Sequence, residues 1–217
     1  MLTEILRALS TSKTTLVAVS KTHPPERILD LYNKGQRIFG ENRVQEMLEK
    51  YTALPKDIEW HLIGHLQTNK VKFIAPFVWM IHSVDSLRLL EEIDKQAVKN
   101  NRIIDCLLQF HIASEESKFG FDEREAREML SGHIFPLLKN VRICGVMGMA
   151  TFTEDPAVIR SEFRRLRAIF QNLKNDFFRD HPHFCEISMG MSGDWQIAVE
   201  EGSTMVRIGS LLFGERG

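Results

Sequence analysis

Lys21 is the first residue whose type and position could support chemistry. It ends the apolar, β-branched run TLVAVSK (15–21), and strand alternation places Val17, Val19 and Lys21 on one face. Partial withdrawal from water at the end of an apolar face lowers the pKa of a lysine and favours the neutral amine, which attacks carbonyl groups. The alternative is a surface lysine whose ammonium group reaches water past the end of the strand.

A second candidate is the segment SMGMS (188–192), where small residues follow an apolar run. Gly190 and Ser192 allow the backbone to approach an anion, and a helix that begins near Gly193 offers main-chain N–H groups. The alternative is an ordinary turn between a strand and a helix, with a serine cap.

A third candidate is the segment VRIGS (206–210), in which Arg207 lies inside an apolar run and Gly209 and Ser210 follow at once. A charged residue in such a run must be paired or must bind a ligand. An internal salt bridge of Arg207 with Glu186 or Glu200 is the structural alternative.

Other polar and sulfur-containing residues give weaker signals. Asn42 follows the apolar run that begins at Ile38, so it either touches a ligand or serves as a turn residue. His61 and His65 share a predicted strand face, but no third ligand stands nearby, so they predict polar lining or a core hydrogen bond rather than a metal site. Met189 and the methionines near it are typical of core filling.

Eight apolar, strand-like runs position these residues, and helical stretches separate them. The runs cover residues 15–21, 38–42, 58–66, 78–86, 103–113, 141–151, 183–191 and 204–214. Strands that alternate with helices predict a parallel sheet, and 217/8 gives about 27 residues per unit. No glycine-rich dinucleotide motif follows the first run, which favours a closed (β/α)8 TIM-like barrel over an open, doubly wound sheet. We expect one domain over residues 1–217.

Such a barrel would bring the three candidate segments together. Functional groups collect at the carboxyl ends of the strands, and a phosphate site frequently lies between the loops after strands seven and eight. The segments 188–192 and 206–210 occupy those two loops. The topology therefore predicts an anion site beside Lys21.

Composition excludes several classes of protein. Hydrophobic residues make up 43% of the 217, the net charge is −1, and both signs are interspersed, so a disordered chain and a nucleic-acid-binding arm are not expected. No apolar run reaches membrane-spanning length, and the N-terminal residues lack the core of a signal peptide. We expect a cytoplasmic monomer that binds neither nucleic acid nor membranes. Three cysteines are interpreted as core residues: Cys106, Cys144 and Cys185.

A series of motifs extends this interpretation. In order they are VAVSKTHP, FGENRVQE, WHLIGHLQTNK, SVDS, GVMGMA and ISMGMSGDWQIAVEEGSTMVRIGSLLFGERG. The series runs from about Thr15 to Gly214 and resembles the pyridoxal phosphate homeostasis proteins. These are single-domain relatives of the alanine racemase N-terminal barrel, within the fold-type III proteins that bind pyridoxal 5′-phosphate (PLP).

The resemblance implies a cofactor and a role for each candidate residue. Lys21 is similar to the family's Schiff-base lysine, and Arg207 resembles the partner of the pyridine nitrogen. The phosphate cradle is implied at Ser192, Gly209 and Ser210, and neighbours of the ring or the lysine are implied at Asn42 and Met189.

The resemblance also implies a function without an established reaction. Proteins of this family are understood to keep free PLP low, to affect amino-acid and vitamin B6 balance, and to pass PLP transiently to apo-enzymes. An arginine at the ring nitrogen only donates hydrogen bonds, so it weakens the cofactor as an electron sink and suits a carrier.

Two alternative functions remain. A fold-type III amino-acid racemase needs a second base, which in such racemases is a tyrosine from a C-terminal β-domain of the partner subunit. Tyr32 and Tyr51 lie in helical stretches here, which disfavours this function. The other alternative is a phosphate-binding barrel whose lysine forms a Schiff base with a sugar, which would leave the protein colourless.

Overall fold

The eight apolar runs form parallel strands in the computed structural model, which describes residues 1–113 and 119–214. Each strand pairs with the next along the chain, and the last pairs with the first, so the sheet closes. The strands are β1 (Thr15–Val19), β2 (Ile38–Glu41), β3 (Glu59–Leu62), β4 (Met80–Val84), β5 (Ile104–Gln109), β6 (Val141–Met147), β7 (Glu186–Ser188) and β8 (Met205–Ile208). The predicted (β/α)8 barrel is confirmed.

Helices fill the connections between the strands and cover the outside of the barrel. They are α1 (Leu2–Ser10), α2 (Pro25–Tyr32), α3 (Val44–Ala53), α4 (Val71–Ile74), α5 (Leu87–Lys99), α6 (Glu123–Ser131), α7 (Pro156–Asp176), α8 (Trp195–Glu200) and α9 (Ser210–Phe213). Helix α5 shows why these segments are helical. The Ser86 side chain caps its first turn, and Leu89, Ile93 and Ala97 recur at helical spacing on its buried face. Among the described residues, no helix has both the length and the apolar character that crossing a membrane requires.

Strand alternation divides the core into two layers. Residues such as Ala18, Leu62 and Val206 belong to the large cluster between the strands and the helices. Their neighbours of opposite parity point into the barrel, where a small separate cluster contains Met80, Leu107, Cys144, Met147 and Met205. Arg207 has the parity of Met205 and is buried, so it points into the barrel interior.

Three local predictions need correction. The last run does not continue as a strand: β8 ends at Ile208, and hydrogen bonds to the Gly209 carbonyl from the N–H groups of Leu212 and Phe213 (2.8 and 3.0 Å) close a helical turn. Strand β3 ends at Leu62, so His61 and His65 do not share a strand face. Cys185 precedes β7 and is exposed, whereas Cys106 and Cys144 are buried as predicted. The polar, glycine-containing sequence of residues 114–121 predicts a loop, but most of this segment lies outside the described residues.

Gly145 controls the contact between β6 and β7. It pairs in register with Glu186, and its φ of 154° lies in the region that favours glycine. A Cβ atom at this position would overlap the carbonyl oxygen of Glu186. The two strands can therefore approach at this point only because residue 145 has no side chain.

We predict that Gly145→Ala lowers the free energy of unfolding by about 3 kcal/mol or more, because the added methyl group must separate β6 from β7. Chemical denaturation monitored by circular dichroism measures this change. Gly193→Ala is the matched control, since an added Cβ there has no neighbour within 4 Å. Equal stability of the two variants would contradict the conclusion that the missing side chain at position 145 permits the close approach of β6 and β7.

Candidate functional site

A cavity of about 850 Å³ opens at the carboxyl ends of the strands. Six of the seven residues singled out from the sequence line it: Lys21, Asn42, Ser192, Arg207, Gly209 and Ser210. The seventh, Met189, is fully buried in the layer between strands and helices, because its parity is opposite to that of Ser188. Met189 therefore lies behind the wall of the cavity and not on it.

The backbone on both sides of Lys21 is held by side chains of α3. The carbonyl of Ser20 accepts a hydrogen bond from Lys50 Nζ at 2.7 Å. On the other side, the N–H of Thr22, which has a φ of 68°, donates to the Glu46 carboxylate at 2.5 Å. Lys21 itself is half-buried and faces the cavity. Its position therefore depends on α3 as well as on β1.

A buried ion cluster stabilises this arrangement. Lys50 Nζ lies 2.7 Å from carboxylate oxygens of both Glu41 and Glu46, and Ser20 Oγ donates to Glu41 at 2.6 Å. Burial raises the pKa of Glu41 to about 7, although Lys50 and Ser20 act in the opposite direction. Removing one member of such a pair leaves a buried charge without compensation, so the cluster is costly to disrupt.

The loops after β7 and β8 meet, as the sequence predicts. The N–H of Gly209 donates to Ser192 Oγ at 3.2 Å, and Ser210 follows on the same wall of the cavity. A Cβ on Gly209 would lie 3.2 Å from the carbonyl oxygen of Val19, which is tighter than side chains normally tolerate. The absence of a side chain here lets the β8 loop lie against β1.

Arg207 lies at the floor of the cavity and is only 4% exposed. One terminal nitrogen of its guanidinium donates to Ser188 Oγ at 2.6 Å, and the other donates to the Gly148 carbonyl at 3.0 Å. Burial lowers the pKa of Arg207 to about 10, and attraction to Asp194 partly offsets this effect. At neutral pH the side chain remains a cation that points toward the ligand space.

The proposed structural alternative for Arg207 is wrong. Glu200 pairs with Arg160 at 2.6 Å, and Glu186 accepts a hydrogen bond from Thr204 Oγ1 at 2.5 Å. Both carboxylates are therefore engaged elsewhere, which leaves the cavity face of Arg207 available for recognition of a ligand.

A pair of buried histidines lies deeper in the barrel. His61 Nδ1 is 2.9 Å from His82 Nε2, and His82 Nδ1 is 3.0 Å from Ser188 Oγ. Burial lowers the pKa of His61 to about 3 and holds that of His82 well below its usual range. Both rings are therefore neutral at physiological pH, and the predicted core hydrogen bond of His61 is present.

The sequence did not indicate two titratable residues of the cavity wall. His23 lines the cavity and stacks on Phe213 with 4.8 Å between ring centroids, although its sequence His-Pro-Pro only suggests the end of a strand. Asp194 also lines the cavity, and its carboxylate accepts from the N–H of Met191 at 2.5 Å. Neither residue carries a local sequence signal that would distinguish it from a loop residue.

Apolar side chains surround the mouth of the cavity. They are exposed and belong to the loops after β6, β7 and β8: Met149, Phe152, Met191 and Leu211. Phe152 is 98% exposed, while the adjacent Thr151 is held by two hydrogen bonds to the buried Glu162 carboxylate, both at 2.7 Å. A firmly anchored loop therefore presents an aromatic ring to solvent.

His65 lies apart from the cavity. Its Nδ1 is 3.2 Å from Asp85, and its ring stacks on Phe119. Within residues 1–113 and 119–214, no group of three or more histidine, cysteine or carboxylate side chains is arranged to hold a metal ion.

Comparisons with known proteins agree with this geometry. A family model described as the alanine racemase N-terminal domain matches residues 3–217. A pyridoxal phosphate homeostasis protein of Aquifex aeolicus is 46% identical over 93% of this chain and 86% of its own. A protein of that name from Homo sapiens is 39% identical over 93% of this chain and 76% of its own.

Solved structures show the same barrel. PipY of Synechococcus elongatus, determined with PLP bound, has a TM-score of 0.85 and 37% identity and is matched over 99% of this chain and 100% of its own. The alanine racemase of Bartonella henselae has a TM-score of 0.69 at 18% identity, with 96% of this chain matched to 57% of the racemase. The racemase likeness concerns the fold alone.

We predict that the two buried histidines make stability depend on pH. Their folded-state pKa values lie below the value of about 6.5 expected after unfolding, so the unfolded chain binds more protons as the pH falls below 6.5. The free energy of unfolding should therefore decrease by about 2 kcal/mol from His61 alone between pH 7 and pH 5, with a further decrease from His82 in the same direction, as measured by chemical denaturation. Titration of other groups is common to the wild type and a His61→Gln/His82→Gln variant, so an identical decrease in both proteins would contradict the prediction.

Proposed function

The chain belongs to the pyridoxal phosphate homeostasis proteins, and from this premise we propose that it binds PLP as a Schiff base on Lys21 and acts in PLP homeostasis. The observation that carries the proposal is the convergence, in one cavity, of Lys21, Arg207 and the paired loops at Ser192 and Gly209. An amine, a buried cation and a small-residue cradle are the groups that an aldehyde, a pyridine nitrogen and a phosphate require.

The donor set fits this cofactor in detail. Ser192, Gly209 and Ser210 line the same part of the cavity, where hydroxyl and main-chain N–H groups can bind phosphate oxygens. Asn42 lies on the same wall as Lys21 and would contact the ring or the lysine. The position of Met189, directly after β7 and in the core between strands and helices, supports a packing role behind the cavity wall in place of contact with the ring.

The groups around the cavity favour a carrier over a catalyst. PLP supplies an electrophilic aldehyde and an electron-withdrawing ring. Arg207 can only donate, so it would hold the ring nitrogen unprotonated and limit electron withdrawal. This supports a buffer or carrier that affects amino-acid balance and passes PLP transiently to apo-enzymes. We further propose that residues 1–217 form one domain and that the protein works as a cytoplasmic monomer.

We predict that borohydride reduction of the PLP-loaded protein attaches the pyridoxyl group to Lys21, as identified by peptide mapping. Lys21→Ala should lose the visible absorbance of the bound cofactor, because no amine remains at the end of β1. Lys34→Ala is the control, since Lys34 is exposed after α2, and it should keep that absorbance. A pyridoxyl group on another lysine, with Lys21→Ala still coloured, would overturn the assignment.

An amino-acid racemase is the second candidate, and the presence of His23 on the cavity wall is the observation in its favour. Racemisation needs one base on each face of the substrate, and Lys21 and His23 are two titratable side chains in the same cavity. The two tyrosines are placed elsewhere: Tyr32 donates to Asp57 at 2.9 Å, and Tyr51 stacks on Phe77.

We predict that the PLP-loaded protein does not convert L-alanine to D-alanine over many cycles. The stacking of His23 on Phe213 restrains its ring, and Arg207 limits stabilisation of a carbanion. Incubation in deuterium oxide, with NMR for Cα–H exchange and chromatography for chirality, measures this. Sustained formation of D-alanine that is lost in both Lys21→Ala and His23→Gln would instead establish a racemase with these two bases.

A further inference from the structure

Four buried polar side chains form a continuous row across the inside of the barrel. Arg207 on β8 donates to Ser188 Oγ on β7 at 2.6 Å, and Ser188 Oγ lies 3.0 Å from His82 Nδ1 on β4. His82 Nε2 lies 2.9 Å from His61 Nδ1 on β3. Each of the four residues is at most 4% exposed. The row therefore begins at the floor of the cofactor cavity and continues toward the opposite end of the barrel.

Arg207 fixes the direction of the first hydrogen bond in this row. A guanidinium has only donors, so Ser188 Oγ must accept from it. The hydroxyl proton of Ser188 is then available for His82 Nδ1, and His82 Nε2–H can donate to His61 Nδ1. The reverse arrangement, in which His82 Nδ1–H donates to Ser188, is also consistent, because each neutral imidazole has one donor and one acceptor. The row ends at His61 Nε2, which has no hydrogen-bond partner in the part of the chain that the structure describes.

A buried arginine is usually paired with a carboxylate, but neutral groups of this row hold the Arg207 guanidinium instead. Within residues 1–113 and 119–214, no carboxylate oxygen lies within ion-pair distance of the guanidinium, which donates instead to the neutral Ser188 hydroxyl and Gly148 carbonyl. These two acceptors fix the orientation of the guanidinium plane. A serine whose proton is engaged by His82 is a better acceptor, since hydrogen bonds in a chain polarise one another.

We propose that Ser188 and His82, with His61 behind them, are positioning residues that aim Arg207 at the ring nitrogen of bound PLP. The inference rests on the proposed function, since it presumes PLP in the cavity with its ring nitrogen at Arg207. The inference assigns a role in cofactor binding to three residues that do not line the cavity and would not touch the ligand. Loss of the Ser188 hydroxyl frees the guanidinium to rotate, so the contact with the ring nitrogen is lost while the phosphate cradle and Lys21 are unchanged.

A comparison of two ligands isolates the contribution of the contact between Arg207 and the ring nitrogen. One is PLP, and the other is its 1-deaza analogue, in which a C–H replaces the ring nitrogen and the aldehyde and phosphate are retained. Equilibrium titration of the full-length protein gives both dissociation constants from the change in absorbance. For Ser188→Ala we expect binding of PLP to weaken about tenfold and binding of the deaza analogue to change by less than about twofold, as for one lost hydrogen bond to a charged group.

Variants of His82 provide the second comparison and a rescue. His82→Leu removes both ring nitrogens and should reduce the preference for PLP over its analogue. His82→Asn keeps an amide near the position of Nδ1, can still contact Ser188, and should restore part of that preference. Ser83→Ala is the matched control: Ser83 is a buried neighbour on β4 whose hydroxyl has no partner among the described residues, and its removal should leave the preference unchanged.

The outcomes separate this inference from the proposed function. If wild-type protein binds neither ligand, the proposed function fails. If the wild type binds PLP but Ser188→Ala and His82→Leu weaken both ligands equally, or weaken neither, the positioning role is overturned. Because each variant is compared with itself on two ligands, a general loss of stability cannot imitate the expected change in preference. If Ser188→Ala does not fold, His82→Leu gives the same comparison.

Discussion

Main-chain pairing between β1 and β8 is the contact on which the rest of the site depends. The register sets Val17 against Arg207 and Ala18 against Ile208, so the first and last strands of the chain end side by side. Lys21 and Gly209, which follow these strands, are thereby brought to one cavity although they lie near opposite ends of the sequence. An open sheet made of the same strands would leave them on opposite edges.

Burial of charge is the second constraint, and the protein meets it in two different ways. Lys50 is neutralised by carboxylates at 2.7 Å, so its cluster is internally paired. Arg207 instead donates to neutral acceptors, and within the described part of the chain the more distant Asp194 partly offsets its charge. The first arrangement stabilises backbone position, while the second leaves a cation whose electrostatic requirement is best met by a ligand.

Strand parity explains both the successes and the failures of sequence-based reasoning. Period-two alternation placed Lys21 on the same face as Val17 and Val19, and Lys21 does line the cavity. The order of the strands brought the β7 and β8 loops together. The same alternation, applied to Met189, would have placed it behind the wall; family resemblance alone suggested otherwise. The histidine pair could not be predicted, because the meeting of β3, β4 and β7 side chains depends on barrel stagger and not on local pattern. Helix α9 was missed since its apolar residues read equally well as a strand.

The support of Lys21 by α3 has a consequence for how sequence variants in this protein are interpreted. Lys50 and Glu46 are one helical turn apart, and neither lines the cavity, yet together they hold both flanks of the lysine. A charge-reversing change at position 50 would be classified as a remote helix substitution, because the residue does not line the cavity. In physical terms it removes the support of the backbone beside Lys21, so its effect should resemble that of displacing the Lys21 side chain.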